Sequence, residues 1–263
     1  MDDEYEPVVI DNGSGFLKAG FAEDDAPKHV FPTIIGKPKD ASLLVGTDQK
    51  DSYIGHEAIA KQDLLELRKP VQQGVITDME DMIKIWEHLW NTELLISCEN
   101  HKFFITEPPK NPKSNREELV KIIFEEFQAP KFYTAIQGVL SLYASGMTTG
   151  TVVDCGDGIS HTVPIYEGYA IPHAIQPIPL AGRDLNKRLY DLLVQAGHSF
   201  SASQHLEDKI YKVKEQHCQV AQDFDAEIKQ AQEQSSLQKN IELPTGQKIT
   251  IGEERIKCPE FLF

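Results

Sequence analysis

Along this chain, short apolar runs broken by glycine turns give way to longer stretches in which apolar residues recur at helical spacing. Residues 8–10 (Val-Val-Ile) predict a strand that turns through Asp11-Asn-Gly-Ser-Gly15 into a second strand over 16–21. Glu23-Asp24-Asp25 and Pro27 then lead to Val30 and Phe31, so this segment reads as a strand meander. Residues 36–53, rich in glycine and charge, keep no period and predict a protruding, mobile insert. From Met79, the residues Met82, Ile83, Trp86, Leu89 and Trp90 fall on one helical face. A short strand over 103–106 precedes a loop marked by Pro108, Pro109 and Pro112. Ser114-Asn-Arg-Glu117 is a capping box, expected to open a helix that buries Leu119, Val120, Ile123, Phe124 and Phe127. Residues 135–145, closed by Gly146, predict another helix.

The pattern restarts at about residue 148. Residues 151–153 (Thr-Val-Val) run into Asp154-Cys-Gly-Asp-Gly158 and on to a further strand. Residues 182–196 predict a helix with Leu185, Leu189, Leu192 and Leu193 inward and Gly197 beyond its end. Ser203 is expected to open the next, with Leu206, Ile210, Val213 and His217 on one stripe. Residues 222–240 are polar and Gln/Glu-rich, predicting an exposed arm, and 241–243 with 248–251 predict a closing hairpin across Pro244-Thr-Gly246. Strands alternating with helices, restarted midway, indicate an α/β fold of two similar halves.

Composition narrows the function classes. At 263 residues the chain is long enough for one large or two ordinary domains. The 41 acidic against 26 basic residues give a net charge of −15 without a basic stripe, which disfavours nucleic-acid binding. The acidic start (Asp2, Asp3, Glu4, Glu6) reads as a solvated tail or as a surface for a basic partner. No apolar stretch is long enough to span a bilayer, and the N-terminus lacks the pattern of a secretion signal, so no membrane insertion is expected. Cys98, Cys155, Cys218 and Cys258 are widely spaced with no C-x-x-C pair, and read as reduced thiols of a soluble cytoplasmic protein.

The doubled phrase carries the candidate chemistry. In each copy an acidic residue ends a strand and glycines follow two and four residues on. Glycine takes φ > 0 without steric cost, so such a turn can aim successive backbone N–H groups at one point, which suits a phosphate. The aspartate suits the Mg²⁺ that accompanies it. One copy alone is commonly just a hairpin; two in matching context suggest two half-molecules gripping one nucleotide from opposite sides. Lys18 alternates toward the face of Ser14 and Phe16 and is either a phosphate ligand or a surface lysine. Asp11 and Asp154 are the candidate metal anchors, acting through metal-bound water. Hydrolysis needs only a residue to orient the attacking water; Gln137 and His161 are candidates, although taken alone a helical Gln and a strand His are usually structural.

The flanking residues add a resemblance. Asp11-Asn-Gly-Ser-Gly-Phe-Leu-Lys-Ala-Gly-Phe-Ala, Asp24-Asp-Ala-Pro27, Gln49-Lys-Asp-Ser-Tyr53, Val139-Leu-Ser-Leu-Tyr-Ala-Ser-Gly146, Val163-Pro-Ile-Tyr-Glu-Gly168, Leu180-Ala-Gly-Arg-Asp-Leu185 and Cys258-Pro-Glu260 closely resemble the actin family. The resemblance implies an α/β actin-like ATPase fold, with ribonuclease H-like duplicated halves around a nucleotide cleft. It implies that Gln137, His161 and Asp154 serve catalysis. Gly13, Ser14, Gly15, Phe16 and Lys18 on one side, and Asp157, Gly158 and Ile159 on the other, would hold phosphate. Gly182, Lys214 and Glu215 would meet the ribose and adenine. Subdomain 1 would comprise 1–32 with 70–144, subdomain 2 residues 33–69, the start of subdomain 3 residues 145–181, and subdomain 4 residues 182–263. Residues 39–51 match the family's mobile inter-subunit loop. The implied cofactor is ATP or ADP with Mg²⁺ or Ca²⁺. The implied partners are further copies or other actin-family subunits in filaments, and actin-binding proteins, in the cytoplasmic cytoskeleton.

Several positions depart from the family pattern. Gln73 stands where a methylated histidine is usual, Pro177 where an arginine lines the phosphate exit, Tyr211 where an arginine frames the adenine, and Cys155 where a serine is usual. Pro179 follows closely. The resemblance further implies that the family's sequence continues past Cys258-Pro-Glu-Phe-Leu-Phe263, so the fold is expected to be incomplete at the C-terminus and the chain alone to be unstable. The leading expectation is an ATP-binding cytoskeletal protein that polymerises and hydrolyses Mg-ATP. The alternatives are a non-polymerising structural subunit, an inactive fragment, and last a kinase, which would need a carboxylate base where Gln137 stands.

Overall fold

Alternating burial over residues 8–21 makes two neighbouring strands share one buried face, on which the largest core of the first unit is built. A computed structural model describes residues 5–39, 50–200, 206–233, 238–243 and 246–263. Asp2, Asp3 and Glu4, residues 40–49 of the expected inter-subunit loop, Ser203 and Pro244-Thr245 lie outside the described residues, as do the side chains of 206–209. The chain divides into two units, Met1–Pro179 and Leu180–Phe263.

The first unit contains β1 (Val8–Asn12), β2 (Phe16–Phe21), β3 (His29–Pro32), β4 (Ile35–Pro38), β5 (Tyr53–Ile54), α1 (Gly55–Ala60), β6 (Leu65–Arg68), β7 (Val71–Gln72) and β8 (Val75–Ile76). It continues through α2 (Met79–His88), β9 (Phe103–Glu107), α3 (Lys113–Lys121), β10 (Phe132–Ile136), α4 (Gln137–Ala144), β11 (Gly150–Cys155), β12 (Ser160–Tyr166), β13 (Tyr169–Ala170) and β14 (Gln176–Ile178). Its main sheet has the order β10-β9-β1-β2-β3. The strands β1, β9 and β10 run parallel, and β2 and β3 return antiparallel. Val8, Ile10, Leu17 and Ile105 are fully buried in one core with Met82, Ile85, Trp86 and Ile123. A second sheet pairs β12 with β11, β13 and β14, and α4 covers it through Val139 and Leu142 against Val163 and Ile165.

Several expectations are revised. Residues 35–38 form strand β4, paired with β5 and β6, so the insert expected over 36–53 begins as sheet. The capping box does not open α3. That helix starts at Lys113 behind Pro112, which has φ −55 and no N–H to satisfy, and it has no side-chain cap. Its end widens to a π-type turn over Ile122–Glu126. The wider turn shifts the helical phase, so Ile122 and Ile123 face the core while Phe124 is left 44% exposed. The helix expected over 135–145 begins only at Gln137, because residues 132–136 are taken by β10.

The second unit contains α5 (Gly182–Gln195), α6 (Leu206–His217), α7 (Phe224–Glu233), β15 (Lys239–Glu242), β16 (Lys248–Ile251) and α8 (Glu254–Lys257). Leu185, Leu189, Leu192 and Leu193 of α5 pack with Ile210, Val213, Ile249 and Ile251, as their spacing predicts. The stretch 222–240 is not a bare arm. Asp223 caps it, accepting from the Ala226 N–H at 3.1 Å, and α7 follows.

Candidate functional site

The C-terminal ends of parallel strands leave backbone groups and side chains pointing into the same space, which is where open α/β sheets bind ligands. Here three such ends meet. Ile10 pairs with Ile105, and Ala135 with Thr106, so Asp11 on β1, Thr106 on β9 and Gln137 just beyond β10 come together. Thr106 Oγ1 donates to Asp11 Oδ1 at 2.5 Å, and Gln137 Nε2 donates to Asp11 Oδ1 at 2.9 Å and to Thr106 Oγ1 at 3.2 Å. Across the hairpin Asp11 pairs with Lys18, whose Nζ lies 3.1 Å from Asp11 Oδ2. Both Asp11 oxygens are therefore engaged. The Gln137 amide nitrogen is committed too, which orients its carbonyl oxygen as the group left to act.

The second hairpin repeats this frame. Asp154 on β11 pairs with His161 on β12, the same number of residues further on as Lys18 is from Asp11. His161 is buried. Burial lowers its pKa below the usual imidazole value, the Asp154 carboxylate opposes that shift, and the Lys110 charge adds to it. At neutral pH the ring is thus an uncharged imidazole. Asp154 also lines the cleft into which the turns open.

The glycines of the two turns are required by close approach. None of Gly13, Gly15, Gly156 and Gly158 has positive φ, which corrects the conformational reason expected from the sequence. A Cβ on Gly15 would lie 2.8 Å from Asp157 Cβ, and one on Gly158 would lie 2.6 Å from Ser14 Oγ. Each turn presses its last glycine against the residue that precedes the last glycine of the other. Thr33 fixes the first turn from behind, donating its N–H to the Gly15 carbonyl at 3.0 Å and Oγ1 to the Gly13 carbonyl at 2.8 Å. In the second turn the Gly156 N–H donates to the Ile159 carbonyl at 3.1 Å. A third hairpin, β7–β8, leans over both. Its turn residues Gln73 and Gly74 have φ of 50° and 80°, and the Gly74 N–H donates to Ser14 Oγ at 2.9 Å.

These groups line one cleft of about 370 Å³. Its walls include Asp11, Gly13, Ser14, Gly15, Phe16, Lys18, Gln137, Asp154, Asp157, Gly158, Ile159 and His161, every candidate drawn from the first unit. Gly182, Lys214 and Glu215 belong to the second unit, where Lys214 Nζ donates to the Gly182 carbonyl at 2.8 Å. The sequence reading missed Thr106, Thr33 and Gly74. Thr106 was accessible, since it ends a predicted strand next to an apolar run, whereas Thr33 and Gly74 join the site only through tertiary contact.

The donor set suits a nucleotide phosphate chain with a hard divalent cation. Mg²⁺ keeps most of its water and takes one or two carboxylates, and Asp154 is a carboxylate open to such water beside the already engaged Asp11. Among the described residues no group of three His, Cys, Asp or Glu side chains converges as a closed metal cage, and no helix is long and apolar enough to cross a membrane. The sequence model of the family described as Actin matches residues 2–263. The chain belongs to the actin family, and its mixed sheets and helices form an actin-like α/β fold.

Proposed function

We propose that this actin-family chain grips the phosphates of ATP or ADP between its two glycine turns and positions a water for hydrolysis. The reciprocal contact of Gly15 with Asp157 and of Gly158 with Ser14 carries the reading. Two turns built to approach this closely, around a cleft lined by carboxylates, an ammonium and a neutral imidazole, have no purpose in core packing. Lys18 would supply charge to the phosphates, and Asp154, with Asp11, would hold Mg²⁺ or Ca²⁺ through its water. When bound, that ion supplies neutralisation of the negative oxygens. Gln137, anchored through its amide nitrogen, would accept a hydrogen bond from the attacking water through its carbonyl oxygen. His161, uncharged, would take up that water's proton.

In this reading Gly182, Lys214 and Glu215 serve the ribose and base, the subdomain boundaries are those the family resemblance implies, and the chain assembles with its own copies or other actin-family subunits in the cytoskeleton. Pro177 favours the second reading, a structural subunit that does not cycle. It pairs with His161 in the β12–β14 register, where a proline brings neither an N–H nor a charge to the outgoing phosphate. Single-turnover hydrolysis of Mg-ATP by Gln137→Ala tests the mechanism. Nucleotide affinity should be unchanged and hydrolysis about 10²-fold slower; an unchanged rate would remove Gln137 from the chemistry.

A further inference from the structure

Between Asp11 and Gln137 stands Thr106, and its hydroxyl touches both. The sheet order puts β9 between β1 and β10. Thr106, near the end of β9, therefore has Asp11 on one side, one position beyond the Ile10–Ile105 pair. Gln137 lies on the other side, two positions beyond its partner Ala135. The threonine is buried in the wall of the cleft. Its hydroxyl has one hydrogen, and Asp11 takes it. Oγ1 donates to Asp11 Oδ1 at 2.5 Å, the short length of a hydroxyl bonded to a charged carboxylate. The threonine oxygen can then only accept, and it accepts from Gln137 Nε2 at 3.2 Å. Asp11 Oδ1 accepts from the same nitrogen at 2.9 Å.

The Gln137 amide thus meets two acceptors at once. Turned over, its Oε1 would face the Asp11 carboxylate with no hydrogen between them, and Thr106 could serve only one of the two oxygens. Asp11 by itself is a poor lock. Its other oxygen is held by Lys18, which is 48% exposed, so that ion pair is screened by water. The buried tie on the carboxylate is the one to Thr106. The β-branch of threonine restricts χ1, so the strand also fixes the direction of the hydroxyl.

We infer that Thr106 is a positioning residue of this site, its hydroxyl fixing which end of the Gln137 amide faces the cleft. This role rests on the water-orienting part proposed for Gln137, and Thr106 acts only through Gln137 and Asp11. Valine keeps the β-branch and the volume of threonine but brings a methyl where the hydroxyl stands, so it removes the lock without opening a cavity. Lys18 and the backbone of both turns stay as they are, so binding should survive the change while hydrolysis suffers.

Single-turnover hydrolysis of Mg-ATP by the full chain and its variants is the test, with nucleotide affinity measured alongside. Thr106→Val should hydrolyse about tenfold more slowly at unchanged affinity. Thr106→Ser, which keeps the hydroxyl, should retain most of the rate. The double variant Thr106→Val/Gln137→Ala should match Gln137→Ala alone, because a residue that works through Gln137 then has nothing to position. An unchanged rate in Thr106→Val, a Thr106→Ser as slow as Thr106→Val, or a double variant slower than Gln137→Ala would each overturn the inference. Gln137→Ala at the full rate would instead fail the reading of Gln137 on which this role rests. Nuclear magnetic resonance reads the lock without activity. The Gln137 side-chain amide hydrogens should exchange with solvent about tenfold faster in Thr106→Val than in the unmodified chain, with Thr106→Ser close to the latter. Equal exchange in all three would overturn the inference whatever the hydrolysis rates, and Thr106→Ala takes the place of valine if that variant does not fold.

Discussion

Across from the strand-end aspartate, the first hairpin places a half-exposed lysine and the second a buried histidine. The two hairpins share register across the turn and the placement of the turn glycines, so the difference lies in what surrounds them. Around β1–β2 the sheet is covered by α2 and the end of α3, and Val8, Ile10 and Leu17 are fully buried. Asp11 is tied to Thr106 on the neighbouring parallel strand β9 and to Gln137 at the start of α4, and the cation across from it completes that polar network. Along β11 burial alternates strictly, and Val153 is 64% exposed on the uncovered face. On the covered face His161 loses water and with it its charge. One folding unit used twice thus yields a charged side suited to holding phosphate and a neutral side suited to moving a proton.

Exchanging the roles of the two positions is the strongest challenge to that asymmetry. His161→Gln should slow single-turnover hydrolysis by about 10²-fold or more with little change in nucleotide affinity. Lys18→Ala should do the reverse, weakening ADP and ATP binding by roughly tenfold, the loss of one phosphate contact, with the cleavage rate nearly intact. Equal effects of the two substitutions on rate would erase the distinction. A smaller effect tests the contact between the turns. Gly158→Ala forces Ser14 to move, an overpacking cost of about 1–3 kcal/mol that should appear as weaker nucleotide binding. Gly146→Ala is the control, because a Cβ there would meet nothing within 4 Å and only its φ of 78° is strained. It should lower stability by about 1–2 kcal/mol and leave affinity alone.

The smallest expected effect is on the pH dependence of stability. The His161 pKa is depressed in the folded chain, chiefly by burial, and His217 is depressed the same way by burial with Lys239 and Arg255 nearby. The unfolded chain therefore binds protons first as pH falls. The stability these neutral rings contribute is fully present above the ordinary histidine value of about 6.5 and is lost as pH falls through the lower folded values. His161→Gln should flatten part of that loss in denaturant titrations between mildly acidic and neutral pH. An unchanged slope would argue that the ring is not desolvated.

Much of this was legible in the sequence because it rests on local pattern. The doubled turn, the amphipathic face of α2 and the inward leucines of α5 each follow from period and glycine placement. What escaped was set by partners distant in the chain. The turn glycines are needed for a neighbour that packs against them, a reason no local pattern reveals, and Thr33 and Gly74 reach the turns only once β3 and β7–β8 fold over them. The phase shift that exposes Phe124 comes from a π-type turn, which the 3.6-residue period cannot anticipate. Gln137 and His161 were candidates from their positions beside the second turn, where such residues are usually structural, and the resemblance strengthened them.

The central claim is that both turns close on one phosphate chain. Amide hydrogen exchange of the full chain, with and without Mg-ATP, measures it directly. The account predicts that peptides covering residues 11–18 and 154–161 slow together, with the same dependence on nucleotide concentration. Protection of one hairpin alone, or of neither, would contradict it.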